Sequence, residues 1–225
     1  MVEGQGAAIA RQVASSASPT VREIETPHGP ARAHVHHAAD PAGALVLGHG
    51  AGGGIAATDL TAATAAAIVE GVSVALVEQP YRVAGRRSPA PARQLDAAWA
   101  AVIESLFGSE LQGLPLISGG RSSGARVACR TAHAIGAIAV LCLAFPFQPP
   151  RRAGGAAPQT RQDELDMVKV PMLIVQGEND PFGMPPAGRR RKLLTVRGDH
   201  SLRGDPQGVG TAVGSWIARI VAQAR

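Results

Sequence analysis

Ser122 stands between two glycines in Gly120-Arg121-Ser122-Ser123-Gly124. The apolar pair Leu116-Ile117 precedes this run, and a stretch able to form a helix follows from Ser123. A hydroxyl is a poor nucleophile, so a reactive serine must be presented at the end of a strand. There it can reach a base and hydrogen-bond donors for an oxyanion. A turn tight enough to do this is strained and crowded, and glycine on either side lets backbone approach without a Cβ clash. The following helix would aim the positive end of its dipole at the reacting centre. The same five residues also fit an ordinary glycine-rich turn between a strand and a helix. The rest of the chain must therefore supply an acid, a base and an oxyanion site.

An acid and then a histidine should follow the serine in chain order. Met172–Val175 reads as a buried strand, and Gln176-Gly177-Glu178-Asn179-Asp180-Pro181-Phe182 follows as its loop. Asp180 is the first choice for the acid that fixes an imidazole tautomer and stabilises imidazolium. Glu178 is its rival, and helix or turn capping is the plain alternative for either. Next, Leu193–Val196 leads into Arg197-Gly198-Asp199-His200. His200 thus follows the last strand, where it can reach back to both Ser122 and Asp180.

Upstream, Leu45-Val46-Leu47 runs into Gly48-His49-Gly50-Ala51-Gly52-Gly53-Gly54. A glycine-rich loop after a buried strand offers backbone N–H groups to an anion. Gly48, Gly50 and Gly53 fit a dinucleotide fingerprint, with Glu78 placed as the ribose acid. The competing reading makes this loop half of an oxyanion hole, with the N–H of Ala51 (or Gly52) and that of Ser123 as donors. The second reading is preferred. A dinucleotide loop usually opens its domain, and it would leave Ser122, Asp180 and His200 unexplained.

The elements that must position these residues are legible as alternating strands and helices. Val21–Thr26 and Ala31–His37 alternate around the turn Pro27-His28-Gly29-Pro30 and predict an antiparallel edge hairpin. His34 and His36 share one of its faces, and with no carboxylate or cysteine partner in view they read as surface residues rather than metal ligands. From Ala44 onward the apolar runs Ala44–Leu47, Val72–Val77, Leu114–Ile117, Ile138–Leu143, Met172–Val175 and Leu193–Val196 do not alternate. Strands of a parallel sheet buried on both faces read this way. Helices are expected over Thr58–Glu70, Ala92–Phe107, Ser123–His133 and Gly208–Gln223. In the second, Leu95, Trp99, Val102, Ile103 and Leu106 form its core face, and Trp216, Ile217 and Ile220 do so in the last. No internal repeat or linker divides the chain, so residues 19–225 are expected to form one α/β domain behind a frayed segment, residues 1–18.

At 225 residues with 45% hydrophobic content, the chain can bury a core without staples. Aromatics are only 3%, too few for a nucleic-acid stacking platform. The net charge of +5 comes mostly from scattered arginines, Lys169 and Lys192 being the only lysines. The densest run, Arg189-Arg190-Arg191-Lys192, reads as a solvated surface. Cys129 and Cys142 fall in apolar stretches and look like core residues, which suits a reducing compartment. No signal peptide or membrane span is evident. A cytoplasmic protein is expected, with no metal, cofactor, nucleic-acid or membrane partner.

Taken together, these motifs resemble the α/β-hydrolase superfamily, and in particular its small, lidless, dienelactone-hydrolase-like members. His49-Gly50-Ala51-Gly52-Gly53, Glu78-Gln79-Pro80-Tyr81-Arg82, Gly119 to Gly124 and Gln176 to Phe182 are similar to one branch of it. That branch has bacterial members and eukaryotic relatives, among them a testis-expressed protein and a subunit of a histone-acetyltransferase complex. The resemblance covers roughly residues 40–220. It implies a central, mostly parallel sheet with helices on both faces, and a triad of Ser122, Asp180 and His200. Serine replaces the cysteine of dienelactone hydrolases proper, so their substrate does not carry over.

The implied reaction is hydrolysis of a small soluble ester or thioester through an acyl-enzyme. Peptidase or acyltransferase chemistry on the same triad, or a silent scaffold that keeps the fold, are the alternatives. Phe145 to Thr160, with Arg151 and Arg152, is too short for a helical lid. An open, shallow site follows. Phe145, Phe147 and Phe182 either line it or pack in the core. Arg82, Arg86, Arg87 and Arg121 lie at its edge and either bind an anionic substrate group or brace the loops. His49 is a further candidate for substrate contact.

Overall fold

The computed structural model describes residues 18–149 and 159–224. The segment expected to fray, and Arg151 and Arg152, lie almost wholly outside them. Eight strands form one sheet in the order β1-β2-β4-β3-β5-β6-β7-β8. These are β1 (Thr20–Ile24), β2 (Ala31–His36), β3 (Gly43–Gly48), β4 (Val72–Glu78), β5 (Leu116–Arg121), β6 (Ala139–Leu143), β7 (Met172–Gly177) and β8 (Arg191–Val196). The hairpin β1-β2 is antiparallel, and β2 joins β4 antiparallel. Strands β3 to β8 run parallel to one another.

Helices cover both faces. α1 (Thr58–Val69) and α6 (Pro206–Ala224) pack on one, while α3 (Ala92–Phe107) and α4 (Ser123–Thr131) pack on the other. The short α2 (Pro80–Val83) and α5 (Gln162–Asp166) complete the set. Central strands carry apolar side chains on both faces because both are covered: β3, β6 and β7 are buried along their whole length. In α3 the expected stripe of Leu95, Trp99, Val102, Ile103 and Leu106 is buried. Each such side chain contributes roughly 1.5–3 kcal/mol by leaving water.

Most boundaries shift from expectation by a residue or two, and two of the shifts have a physical reason. β5 continues past Ile117 through Gly119 and Gly120, residues that weaken most strands. Here they are required, because a Cβ on Gly119 would lie 2.7 Å from the Leu141 carbonyl oxygen. β8 begins at the charged Arg191 rather than at Leu193, because a sheet-edge strand need not be apolar throughout. Among the described residues, the connection from β6 to β7 holds the five-residue α5 and no larger cap.

Candidate active site

β5 delivers Ser122 to the carboxyl edge of the sheet with φ 51° and ψ −107°, outside the regions ordinary residues favour. The turn is pinned from both sides. Its N–H donates to the Leu143 carbonyl at 2.9 Å, and its own carbonyl accepts from the Arg126 N–H at 3.2 Å. The flanking glycines are explained by contact. A Cβ on Gly120 would sit 2.6 Å from the carbonyl carbon of Gly124, and one on Gly124 would sit 2.5 Å from that of Gly48. Strand β3, strand β5 and helix α4 thus touch backbone to backbone beneath the serine.

His200 and Asp180 arrive from the loops after β8 and β7. His200 Nε2 lies 2.9 Å from Ser122 Oγ, and His200 Nδ1 lies 2.8 Å from Asp180 Oδ2. A carboxylate can only accept, so Nδ1 carries the proton and Nε2 is left free to accept from the serine hydroxyl. The Asp180 side chain is fully buried, and Glu178 is exposed. Asp180 Oδ1 accepts from the Phe182 N–H at 2.9 Å, and Oδ2 also accepts from Gln176 Nε2 at 2.8 Å. The same Gln176 amide donates to the carbonyls of Phe145 and Gly183, each at 3.0 Å. Gln176 was not singled out from the sequence. Its position four residues before the acid, at the end of a buried strand, is the signal that could have found it.

The phenylalanines separate by role. Phe145 is fully buried in the core and Phe147 packs against it. Phe182 stacks at a tilt on the His200 ring, with centroids 4.3 Å apart.

The expectation that His49 contacts substrate is corrected. It is only 3% exposed. Its Nδ1 donates to the Gly50 carbonyl at 2.8 Å, and its Nε2 accepts from the Gln79 N–H at 3.1 Å. Both nitrogens hold the glycine loop in place, and burial keeps the ring below the ordinary histidine pKa, hence neutral. Tyr81 packs edge-on to this ring and its hydroxyl donates to the Ala51 carbonyl at 2.9 Å. The loop is therefore held at Gly50 and Ala51, with the first bonded to a histidine and the second to a tyrosine. Ser123 is the first residue of α4, so its N–H has no partner within the helix. A small cavity of about 110 Å³ lies between Pro30, Gln79, Tyr81 and Leu95 and does not border Ser122.

Two of the four arginines, Arg82 and Arg121, brace loops. Arg82 Nη1 reaches the Arg86 carbonyl at 3.3 Å, while Arg86 and Arg87 are exposed. Arg121 points away from solvent. Its Nε donates to Asp59 Oδ2 at 3.1 Å and its Nη2 to the His200 carbonyl at 2.8 Å. Of the two expectations for Arg121, these bonds are those of a loop brace. Asp59 is fully buried, and burial raises its pKa against the opposing pull of Arg121. The histidines of β2 are also not without a carboxylate: Glu78 Oε2 lies 3.0 Å from His34 Nε2, with Arg32 at 3.7 Å. Glu78, at the end of β4, is therefore engaged with side chains of the adjacent strand β2. Among the described residues, no group of three or more His, Cys, Asp or Glu is placed to hold a metal ion. Nor is any helix among them long and apolar enough to cross a membrane.

Solved structures with this architecture are numerous. A lidless α/β serine hydrolase from Xanthomonas campestris, XC6422, superposes with a TM-score of 0.72 at 17% identity, covering 91% of this chain and 96% of that one. Est1E from Butyrivibrio proteoclasticus gives 0.71 at 14% identity, with 90% and 99% covered. A dienelactone hydrolase from Anabaena variabilis gives 0.66 at 15% identity, with 92% and 99% covered. At these identities the likeness is one of fold. No curated protein matches the chain significantly in sequence. The family model described as alpha/beta hydrolase domain matches residues 41–208, most of the chain and every motif described above. The chain belongs to the alpha/beta hydrolase family.

Proposed function

We propose that this protein is a serine hydrolase that cleaves small soluble esters or thioesters through an acyl-enzyme on Ser122. The observation that carries the reading is the unbroken relay from Ser122 Oγ to His200 to Asp180, with links of 2.9 and 2.8 Å. His200 Nε2 takes the hydroxyl proton as Ser122 Oγ attacks the substrate carbonyl carbon. The oxyanion that forms is held by the N–H groups of Ala51 and Ser123; losing one such donor typically costs about 10²–10³ in turnover. The intermediate collapses, the alkoxide or thiolate leaves with the proton from imidazolium, and the acyl group stays on the serine. Water repeats the sequence with His200 as base. Its oxygen attacks the acyl carbon, and the proton returns to Ser122 Oγ as the acid departs.

The absence of a larger cap among the described residues between β6 and β7 supports a site open to solvent. This favours short acyl groups over long lipid chains. The internal bonds of Arg121 count against an anionic subsite there, and so favour neutral esters. Esterases share the fold, and Est1E has been seen with ferulic acid bound, so a hydroxycinnamoyl ester belongs in a substrate panel beside acetyl and butyryl esters and thioesters.

The decisive experiment is intact-mass analysis after exposure to a fluorophosphonate. One adduct is expected on the native protein and none on Ser122→Ala. A folded native protein that stays unmodified would sink the hydrolase reading and favour a scaffold.

A further inference from the structure

Arg121 joins the His200 loop to the start of α1 and lies against the glycine loop. It occupies the residue before the nucleophile. Its Nε is bound to Asp59 at the start of α1, and its Nη2 to the backbone carbonyl of His200. Its third nitrogen lies under the glycine loop: the position a Cβ would take on Gly50 is 2.8 Å from Arg121 Nη1 and 3.6 Å from Ser122 Cβ. Glycine at position 50 is thus matched to the guanidinium, which fills the space a side chain would claim. Asp59 has no solvent exposure and Arg121 has 17%. Asp59 Oδ1 also accepts from the Leu60 N–H at 3.0 Å. A buried carboxylate this close to a catalytic loop has no packing reason to be ionic, because removing one partner of such a pair is costly and an apolar pair often serves stability as well.

We propose that Arg121, anchored by Asp59, is a positioning residue. It clamps the His200 loop and the Gly50–Ala51 loop at fixed distances from Ser122. The inference rests on the reading of Ser122 as nucleophile. Three segments distant in sequence must hold their geometry within a fraction of an ångström, and a planar fork can bond two of them, through Asp59 and the His200 carbonyl, while its third nitrogen packs against the glycine loop. An ammonium cannot, since it concentrates its donors at one point. The relay bonds His200 through its ring, whereas Arg121 holds its backbone, so the imidazole is fixed at both ends.

The test uses the full chain and four proteins: native, Arg121→Lys, Arg121→Ala and Asp59→Asn. Folding is checked by thermal unfolding, and fluorophosphonate labelling and ester hydrolysis are measured on each. Misplacement of a catalytic group by about 1 Å costs on the order of 10² in rate. Arg121→Lys should therefore lose about that factor in kcat and in labelling rate, with KM little changed. Asp59→Asn should lose in the same direction, since Arg121 would keep its bond to His200 but lose its anchor. Millimolar guanidinium should restore part of the labelling of Arg121→Ala, and methylammonium should not. Full activity in folded Arg121→Lys would overturn the clamp, as would a loss confined to KM. Rescue by methylammonium as good as by guanidinium would do the same, because charge alone would then suffice. If the native protein itself is not labelled, the nucleophile reading fails, and the clamp fails with it.

Discussion

Ser122 is held at a positive φ by contacts on both sides, a conformation that costs roughly 1–3 kcal/mol and persists only where the surroundings dictate it. The neighbouring His49 is equally constrained, and its constraint has a measurable sign. Burial holds its pKa below the ordinary 6.5, so the native ring resists a proton that the unfolded chain accepts. Its contribution to stability is whole above that value and drains away as pH falls. The loss runs at up to about 1.4 kcal/mol per pH unit and levels off once the native pKa is passed. His36 shifts the same way, through burial first and then repulsion by His34 and His37. Thermal unfolding of native protein and His49→Gln between about pH 7.5 and 5.5 checks this. The variant should show the shallower decline, and parallel declines would refute it. At this scale the sequence yielded the residues that meet, since Ser122, Asp180 and His200 were marked out by motif and chain order. It offered His49 for substrate contact and left Arg121 open between an anion subsite and a loop brace, because a polar side chain beside a site looks alike whether it faces solvent or backbone. Only the tertiary partners, Gln79 for one and Asp59 for the other, decide.

Helix α4 and strands β3 and β5 pack so closely that two glycines become structural requirements. Gly124→Ala would drive a Cβ into the Gly48 backbone, which cannot rotate away. That variant should lose most of its soluble yield or fall far in Tm. Gly52→Ala, in the same glycine-rich region, would meet nothing within 4 Å and should stay within about 0.5 kcal/mol of native stability. Equal Tm losses in the two would show that contact does not distinguish them. The elements themselves were mostly readable. Apolar runs without alternation marked β3, β4, β6 and β7 because both faces are covered, and the 3.6-residue stripe marked α3. The short helices α2 and α5 were not readable, since four or five residues carry no period. Nor was the glycine end of β5, whose reason for being a strand lies in Leu141 and Gly48 rather than in itself. On the outer face, Arg130 binds Asp96 of α3 at 2.6 Å and Glu164 of α5 at 3.2 Å, and Arg126 also reaches Glu164. This ionic lacing of three helices was invisible in a charge count.

The net charge of +5 spreads over the molecule and does not converge on the site. The basic run at Arg189–Lys192 lies at the start of β8, the far end of that strand from His200, and part of it is engaged internally. Arg191 pairs with Asp166 at 2.8 Å, and Arg190 donates to the Lys169 carbonyl. The site is drawn instead from the carboxyl ends of β3, β5, β7 and β8, which are spread along most of the sequence. Ser122 meets His200 across 78 residues, and Arg121 meets Asp59 across 62. Such long separations are settled late, because loop closure is paid before contacts reward it. A chain emerging from the ribosome therefore carries Ser122 without its histidine partner until its last strand and the loop beyond are out. On the proposed mechanism, Ser122 gains its base only when the fold is complete. Fluorophosphonate added during refolding should capture the serine no faster than the β7–β8 region docks, which makes the covalent label a clock for the final step. Labelling that runs ahead of docking would mean the serine is activated by something nearer in the chain than His200.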